Sequence, residues 1–452
     1  MLASSSAVAG LASKSLTTTR AAARVGAPRA LRDLGAALVV GVVLRVALVA
    51  FVPVIPGWDG VLYLRGAEQL AEGRGYTQQM LDQSAPPKAS AFFPPGMPAI
   101  FASLRLLGFG SRADLPLQAL AGALLVVVAW VLGRRLGGRR AGRVAAWLVA
   151  LYPGGVLLSV SYFAEPIFAL GIGIGLIPLL YARRRNLLRW LMVMGLCFGL
   201  MAYVRSTSLI MVPIVAASVT WLRFRSTALP QRLRKAAAWT LLTMACALAP
   251  LAPWVVRNQR EMGAPVLVST NGGLNLLLGT FGEGGYDSVP AGQNAPIGLR
   301  ELEADDWRNR HARERIAADV PSWLARGALK LVNTFGYEQA PAQYVAQVNR
   351  LAPRTGERFS LFAIAACRVY WMILIALVFV GAARRIARWR HAPMGRAELV
   401  VLAPVLGLAL LHFVYIGGDR YHAAVVPMLA ALAALGAATV FPRRPAAARG
   451  AA

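Results

Sequence analysis

Residues 34–60 read LGAALVVGVVLRVALVAFVPVIPGWDG. Through Ile55 the run is apolar except for Arg45, and a helix needs only about 20 such residues to cross a hydrocarbon core of about 30 Å. Pro53 and Pro56 break the helix, and Gly57-Trp58-Asp59-Gly60 follows at once. An indole suits the membrane–water interface, so Asp59 falls at the membrane boundary. A carboxylate in such a half-dry place can act as a proton acceptor. Equally, an Asp ahead of the amphipathic spacing Leu62, Leu64, Ala67, Leu70, Ala71 fits a plain helix N-cap. Position alone leaves both readings open.

Composition extends the first reading to the whole chain. Of 452 residues 57% are hydrophobic and 15% charged, whereas soluble domains carry about 45–50% and about 25%. That excludes an ordinary soluble enzyme, and 27 prolines with 43 glycines exclude a coiled coil. Cys197, Cys246 and Cys367 lie far apart within apolar segments, without the spacing of a disulfide framework or a zinc site. Ten stretches have the length of a span: 34–55, 115–132, 143–160, 166–182, 187–203, 206–222, 236–254, 361–382, 397–416 and 421–440. An eleventh, 96–108, is short and carries Arg105, and reads as a re-entrant or surface helix.

The net charge of +28 would suggest nucleic acid on a soluble protein. Ten spans starting from a cytoplasmic N-terminus explain it differently. The inner segments then hold 27 Lys and Arg against two acids, Asp33 and Glu398, while the outer segments hold 19 against 18. Such asymmetry fixes orientation, so no nucleic-acid partner is expected. The expected organisation is a cytoplasmic tail at 1–33, a transmembrane core at 34–254 containing a first external loop at 56–114, an external helical loop at 255–360, C-terminal spans at 361–440, and a cytoplasmic tail at 441–452. The long loop contains the charged stretch Glu301–Asp319 and the amphipathic run Ala325–Phe335, as in a cap lying on the membrane surface.

Chemistry-bearing residues gather at the outer boundary. Glu165, just before Pro166, is the only charge between Arg143 and Arg183. It is either a helix-terminal acid or a functional one. Arg205, Arg257 and Arg420 all fall at a similar depth on that side. A planar guanidinium grips phosphate through its fork, so a ring of them could hold an anionic lipid headgroup. Snorkelling to bulk lipid is the alternative for each. Mid-span Arg45 reads as a packing charge. Pro94-Pro95-Gly96-Met97-Pro98 and Ser269-Thr270-Asn271-Gly272-Gly273-Leu274-Asn275 are turns whose small residues allow backbone to approach a ligand closely. Neither is a nucleotide loop. His311, His391, His412 and His422 lack metal-ligand spacing, so no metal and no cofactor is read from the residues.

Taken in order, Trp58-Asp59 with Tyr63–Glu68, Phe93-Pro-Pro-Gly96, Ala164-Glu165-Pro166, Tyr203-Val-Arg205, Trp254 through Arg257-Asn258 to Asn271, and Arg420-Tyr421 punctuate residues 40–440. This pattern resembles the polytopic glycosyltransferases of the GT-C fold, within them the group of protein O-mannosyltransferases and the lipid A aminoarabinose transferase. The resemblance implies an all-α integral membrane protein of about 10–11 transmembrane helices whose extracytoplasmic loops form the active site. It implies an external catalytic base, here Asp59, and inverting transfer from a polyprenyl-phosphate sugar donor outside the cytoplasmic membrane. Where relatives often place Lys or Arg before the Pro-Pro pair, this chain has Phe93, so that phosphate contact does not carry over. A divalent metal enters only through the resemblance, since some relatives hold one.

The sequence is therefore read as an inverting glycosyltransferase of the inner membrane. Asp59 and Glu165 are its candidate catalytic residues, and Arg205, Arg257, Asn271, Arg420 and Tyr421 its candidate substrate-binding residues. The expected partners are the polyprenyl-phosphate sugar, a lipid, glycan or protein acceptor, and membrane lipid. The rival reading is a lipid or solute transporter, which ten spans and intramembrane arginine would also suit. Against it stand the missing inverted repeat and the gathering of charge at one face.

Overall fold

The computed structural model describes residues 32–282, 284, 285, 290, 292–387 and 394–440, with side chains up to 437. The two predicted tails, apart from Arg32 and Asp33, and His391 lie outside the described residues. The described chain is helical, and its extended pairing amounts to two isolated bridges, Val54 with Asn349 and Thr77 with Ala89.

Helix α1 (Arg32–Phe51) is the predicted first span, stopped by Pro53. Helices α2 (Asp59–Ala71) and α3 (Gly96–Leu106) belong to the first long loop. With 11 residues α3 is about 16 Å long, too short to cross, so the stretch 96–108 leaves the parity of later loops unchanged. Helix α4 (Asp114–Ala150) is two antiparallel arms rather than one rod. Gly137 and Gly138 leave helical geometry, and Gly138 has φ 75°, which glycine adopts without strain. A Cβ on Gly133 would stand 2.8 Å from the Ala141 carbonyl, an approach that a continuous helix forbids. The predicted spans 115–132 and 143–160 are these arms, the second ending early at Tyr152-Pro153, with the short α5 (Pro153–Leu157) after it.

Helices α6 (Glu165–Tyr181), α7 (Leu187–Ala202) and α8 (Ser208–Arg223) follow close to the predicted bounds, whereas α9 (Leu229–Leu248) begins well before the predicted 236 because Pro230 opens the helix within the basic loop. Gly195 and Gly199 of α7 lie against Thr243 and Ala247 of α9, small residues four apart on both helices. Where lipid removes the hydrophobic drive, such close backbone packing holds helices together. The cap comprises α10 (Ala252–Met262), α11 (Gly272–Leu278), α12 (Glu301–Ala318), α13 (Val320–Phe335) and α14 (Ala340–Val348). Helices α15 (Pro353–Ala387), α16 (Arg396–Val414) and α17 (Val426–Val440) close the bundle. Among the described residues, seven helices have the length and apolarity to cross a membrane, eight with the bent pair 153–160 and 165–181. The two arms of α4 and the 16-residue α8 account for the remaining predicted crossings.

Arg45 is buried in α1, and its guanidinium donates to the carbonyls of Gly41, Val149 and Ala150 at 3.0–3.3 Å. The last two belong to the end of α4, where carbonyls have no helical partner. The mid-span charge is thus a cross-helix staple.

Candidate active site

Three segments bring the site together at the cap end of the bundle. The first is Trp58-Asp59. Trp58 is the one non-glycine residue with positive φ among the described residues, at 49°. Such strain persists only where surroundings impose it. Here the indole N–H donates to Gln347 Oε1 at 2.8 Å, and the ring packs against Phe163 and Tyr344 at 5.7 and 5.6 Å. Trp58 is the residue before α2, so its backbone sets how Asp59 enters that helix.

The second segment is Glu165, the first residue of α6. Pro166 sits at the opening turn, where its missing N–H costs nothing, and a carboxylate favours the positive end of the helix. Its side chain is 1% exposed. Arg205, in the link from α7 to α8, donates from Nη1 to Glu165 Oε1 at 2.5 Å. That link is fixed from the other side: the Gly96 N–H donates to the Tyr203 carbonyl at 2.7 Å, and any side chain at 96 would run into that carbonyl. Burial opposes the Arg205 charge, yet Glu165 and Tyr421 carry its pKa above the ordinary arginine value.

The third segment, Asp419–Val425, is a turn of 3₁₀ helix leading into α17. Arg420 Nη2 meets Asp59 Oδ2 at 2.8 Å, and its Nε lies 3.9 Å from Glu165 Oε1. The Tyr421 ring lies beneath both guanidinium groups, 4.9 Å from Arg205 and 5.1 Å from Arg420. Two carboxylates and two arginines thus alternate in one formally neutral cluster. Tyr63, buried beside it, has its phenol pKa raised well above normal, first by burial and then by Asp59, so it stays protonated.

Asp59, Arg420 and Tyr421 line two cavities that meet at the cluster. The larger, about 640 Å³, extends past Trp58 to α14. The smaller, about 80 Å³, is walled by Phe93, Arg205, Asn271 and Asn275. Asn271 is therefore in the site, its Oδ1 accepting from Ser269 at 2.9 Å. Phe93 is stacked edge-on with Tyr63 at 5.7 Å.

Arg257 is not brought to the cluster. It donates to the carbonyls of Ser90 and Tyr76 at 2.8 and 2.7 Å and pairs with Glu261 at 2.9 Å. These bonds tie α10 to the first long loop. Glu301 completes that tie by accepting from Ser90, Ala91 and Thr270. Among the described residues, no group of three or more His, Cys, Asp or Glu could hold a metal, and both site carboxylates face arginine.

Sequence reasoning passed over the far wall of the larger cavity. Gln339, Gln343 and Gln347 line it from one face of α14 and the residue before it. Their four-residue spacing was the available signal. It also passed over a buried group beneath Asp419, where Glu338 accepts from Tyr152 and lies 3.1 Å from His422 Nε2.

Residues 93–256 match the family model described as dolichyl-phosphate-mannose-protein mannosyltransferase. That span includes Glu165 and Arg205 and leaves Asp59 and Arg420 outside. No curated protein matches the sequence. Among solved structures, the oligosaccharyltransferase AglB of Archaeoglobus fulgidus, in complex with an inhibitory peptide and a dolichol-phosphate, aligns over 91% of this chain and 50% of its own, at TM-score 0.50 and 14% identity. The same archaeal enzyme tethered to an acceptor peptide aligns over 91% and 49%, at TM-score 0.50 and 16% identity. ArnT from Cupriavidus metallidurans in the apo state aligns over 92% of this chain and 78% of its own, at TM-score 0.40 and 15% identity. The chain spans about half the length of the archaeal enzymes it matches. The protein is a multi-pass membrane protein with the GT-C fold, similar to the glycosyltransferases that share it.

Proposed function

We propose that the protein transfers a sugar, a hexose or a pentose, with inversion from a polyprenyl-phosphate carrier to an acceptor hydroxyl on the outer side of the inner membrane. The observation that carries this reading is the Asp59–Arg420 ion pair standing where the two cavities meet. The donor phosphate lies in the smaller cavity against Arg205 and Arg420, with Asn271 beside it, and the acceptor enters the larger. The family match over 93–256 supports a lipid-phosphate donor, and the charge asymmetry of the loops supports the outer placement.

Arg420 holds the Asp59 carboxylate in an ion pair at 2.8 Å, which keeps it turned away from an acceptor hydroxyl. A phosphate bound beside Arg420 competes for that guanidinium and frees the carboxylate. The acceptor oxygen then attacks the anomeric carbon while Asp59 takes its proton, and the bond from that carbon to the phosphate oxygen breaks. The carrier leaves as a phosphate monoester carrying one more negative charge, as Asp59 becomes neutral. The cluster then carries net positive charge at the moment the departing phosphate needs it. Arg257 serves the loop architecture in this scheme, and Glu165 orients the two arginines.

The test is transfer from a synthetic short-chain polyprenyl-phosphate sugar by the purified full chain, with product stereochemistry read by NMR. Retention of configuration, or no donor consumption with any sugar tried, would refute the reading.

A further inference from the structure

The larger cavity, at about 640 Å³, holds far more than one attacking hydroxyl. Its far wall presents primary amides at Gln339, Gln343 and Gln347. Each amide carries both donors and an acceptor, so it can bond a hydroxyl in either sense. Gln343 and Gln347 are exposed to the cavity. Gln347 also accepts from the Trp58 indole, which links the amide wall directly to the residue before Asp59. Trp58 remains 40% exposed, an aromatic surface suited to the C–H face of a sugar ring.

The charges around this cavity have partners within the protein. Asp419 Oδ2 accepts the backbone N–H groups of Gln339 and Ala340 at 2.5 and 2.8 Å, which seats the start of α14 against the Arg420 segment. Arg420 pairs with Asp59, and Arg368 donates to Gln339. An anionic acceptor would have to break one of these pairs. A peptide held by strand addition would need a sheet edge, and the described residues contain no strand.

Building on the proposed reaction, we infer that the larger cavity is a saccharide subsite. Its acceptor is a neutral glycan, read by Gln343, Gln347 and the Trp58 ring.

The experiment uses the full chain in lipid nanodiscs and three kinds of probe: neutral trisaccharides (mannotriose and maltotriose), a serine-containing peptide, and a phosphorylated glucosamine disaccharide. Binding is followed by saturation-transfer NMR, with affinity for the short-chain donor measured in parallel. A trisaccharide is expected to bind, and the double substitution Gln343→Ala, Gln347→Ala to weaken it about tenfold through two lost hydrogen bonds, with donor affinity unchanged. Gln347 also holds the Trp58 indole, so the exposed Gln343→Ala is measured alone as well and should weaken trisaccharide binding by itself. Failure of both trisaccharides to bind, binding indifferent to the two glutamines, or preference for the peptide or the phosphorylated disaccharide would overturn the inference. Glutamine-dependent trisaccharide binding without any donor binding would support the subsite while defeating the proposed reaction.

Discussion

Arg420 Nη2 stands 2.8 Å from Asp59 Oδ2, although 361 positions separate the two residues in the chain. The contact joins the end of the first span to the start of the last. In the proposed reaction it also makes the availability of Asp59 depend on what else Arg420 binds.

Asp59→Asn keeps size and most hydrogen bonding but removes the basic carboxylate. Turnover should fall by about 10²–10⁴-fold, the usual contribution of a general base, with little change in donor affinity. Steady-state kinetics with the short-chain donor measure both. Wild-type turnover in this variant would eliminate Asp59 as the base.

Arg420→Ala removes a charge-assisted contact to phosphate of about 1.5–3 kcal/mol, so donor affinity should drop by at least tenfold. Arg420→Lys should recover only part, because an ammonium lacks the planar fork. Donor binding to the three proteins decides the point. Full recovery with Lys would mean that Arg420 supplies charge without bidentate grip.

Glu165 is buried beneath both guanidinium groups, so Glu165→Gln should act first on stability. Removing one partner of a buried ion pair costs about 3–5 kcal/mol, and the low end is expected because Arg205 keeps some exposure. Donor KM should rise while kcat falls less than in Asp59→Asn. If instead kcat falls further than in Asp59→Asn at unchanged KM, the two carboxylates exchange roles.

Orientation is open to a direct check. In a background lacking Cys197, Cys246 and Cys367, a cysteine at exposed Gln83 should react with an impermeant thiol reagent in intact cells, and one at exposed Ser226 should not. The reverse labelling pattern would place the site on the cytoplasmic side and remove its access to an external acceptor.

Crossing segments were legible because they follow from local composition. Apolar length, proline punctuation and basic loops act within some twenty residues of chain, and they located α1, α6, α7, α8 and α16 to within a few positions. The Gly137-Gly138 hairpin was legible in the same way, as a gap between two apolar runs. Asp59, Glu165, Arg205 and Arg420 were singled out because they lie at the ends of apolar runs.

Depth is one coordinate, and the site needs three. Arg257 shares the inferred depth of Arg205 and Arg420, yet it turns to the carbonyls of Tyr76 and Ser90, while Arg420 turns to Asp59. Which way a guanidinium turns depends on the anions and carbonyls that helix packing brings within about 3 Å, and those come from hundreds of residues away. For the same reason the amide wall of α14 became a cavity wall only once Asp419 seated that helix beside Trp58. The sequence by itself determined which stretches have the apolar length to enter a membrane and which charges flank them, because transfer of apolar and charged groups between water and lipid is a local property. The tertiary structure alone decided which of those charges face one another, because an ion pair forms only where packing places both partners.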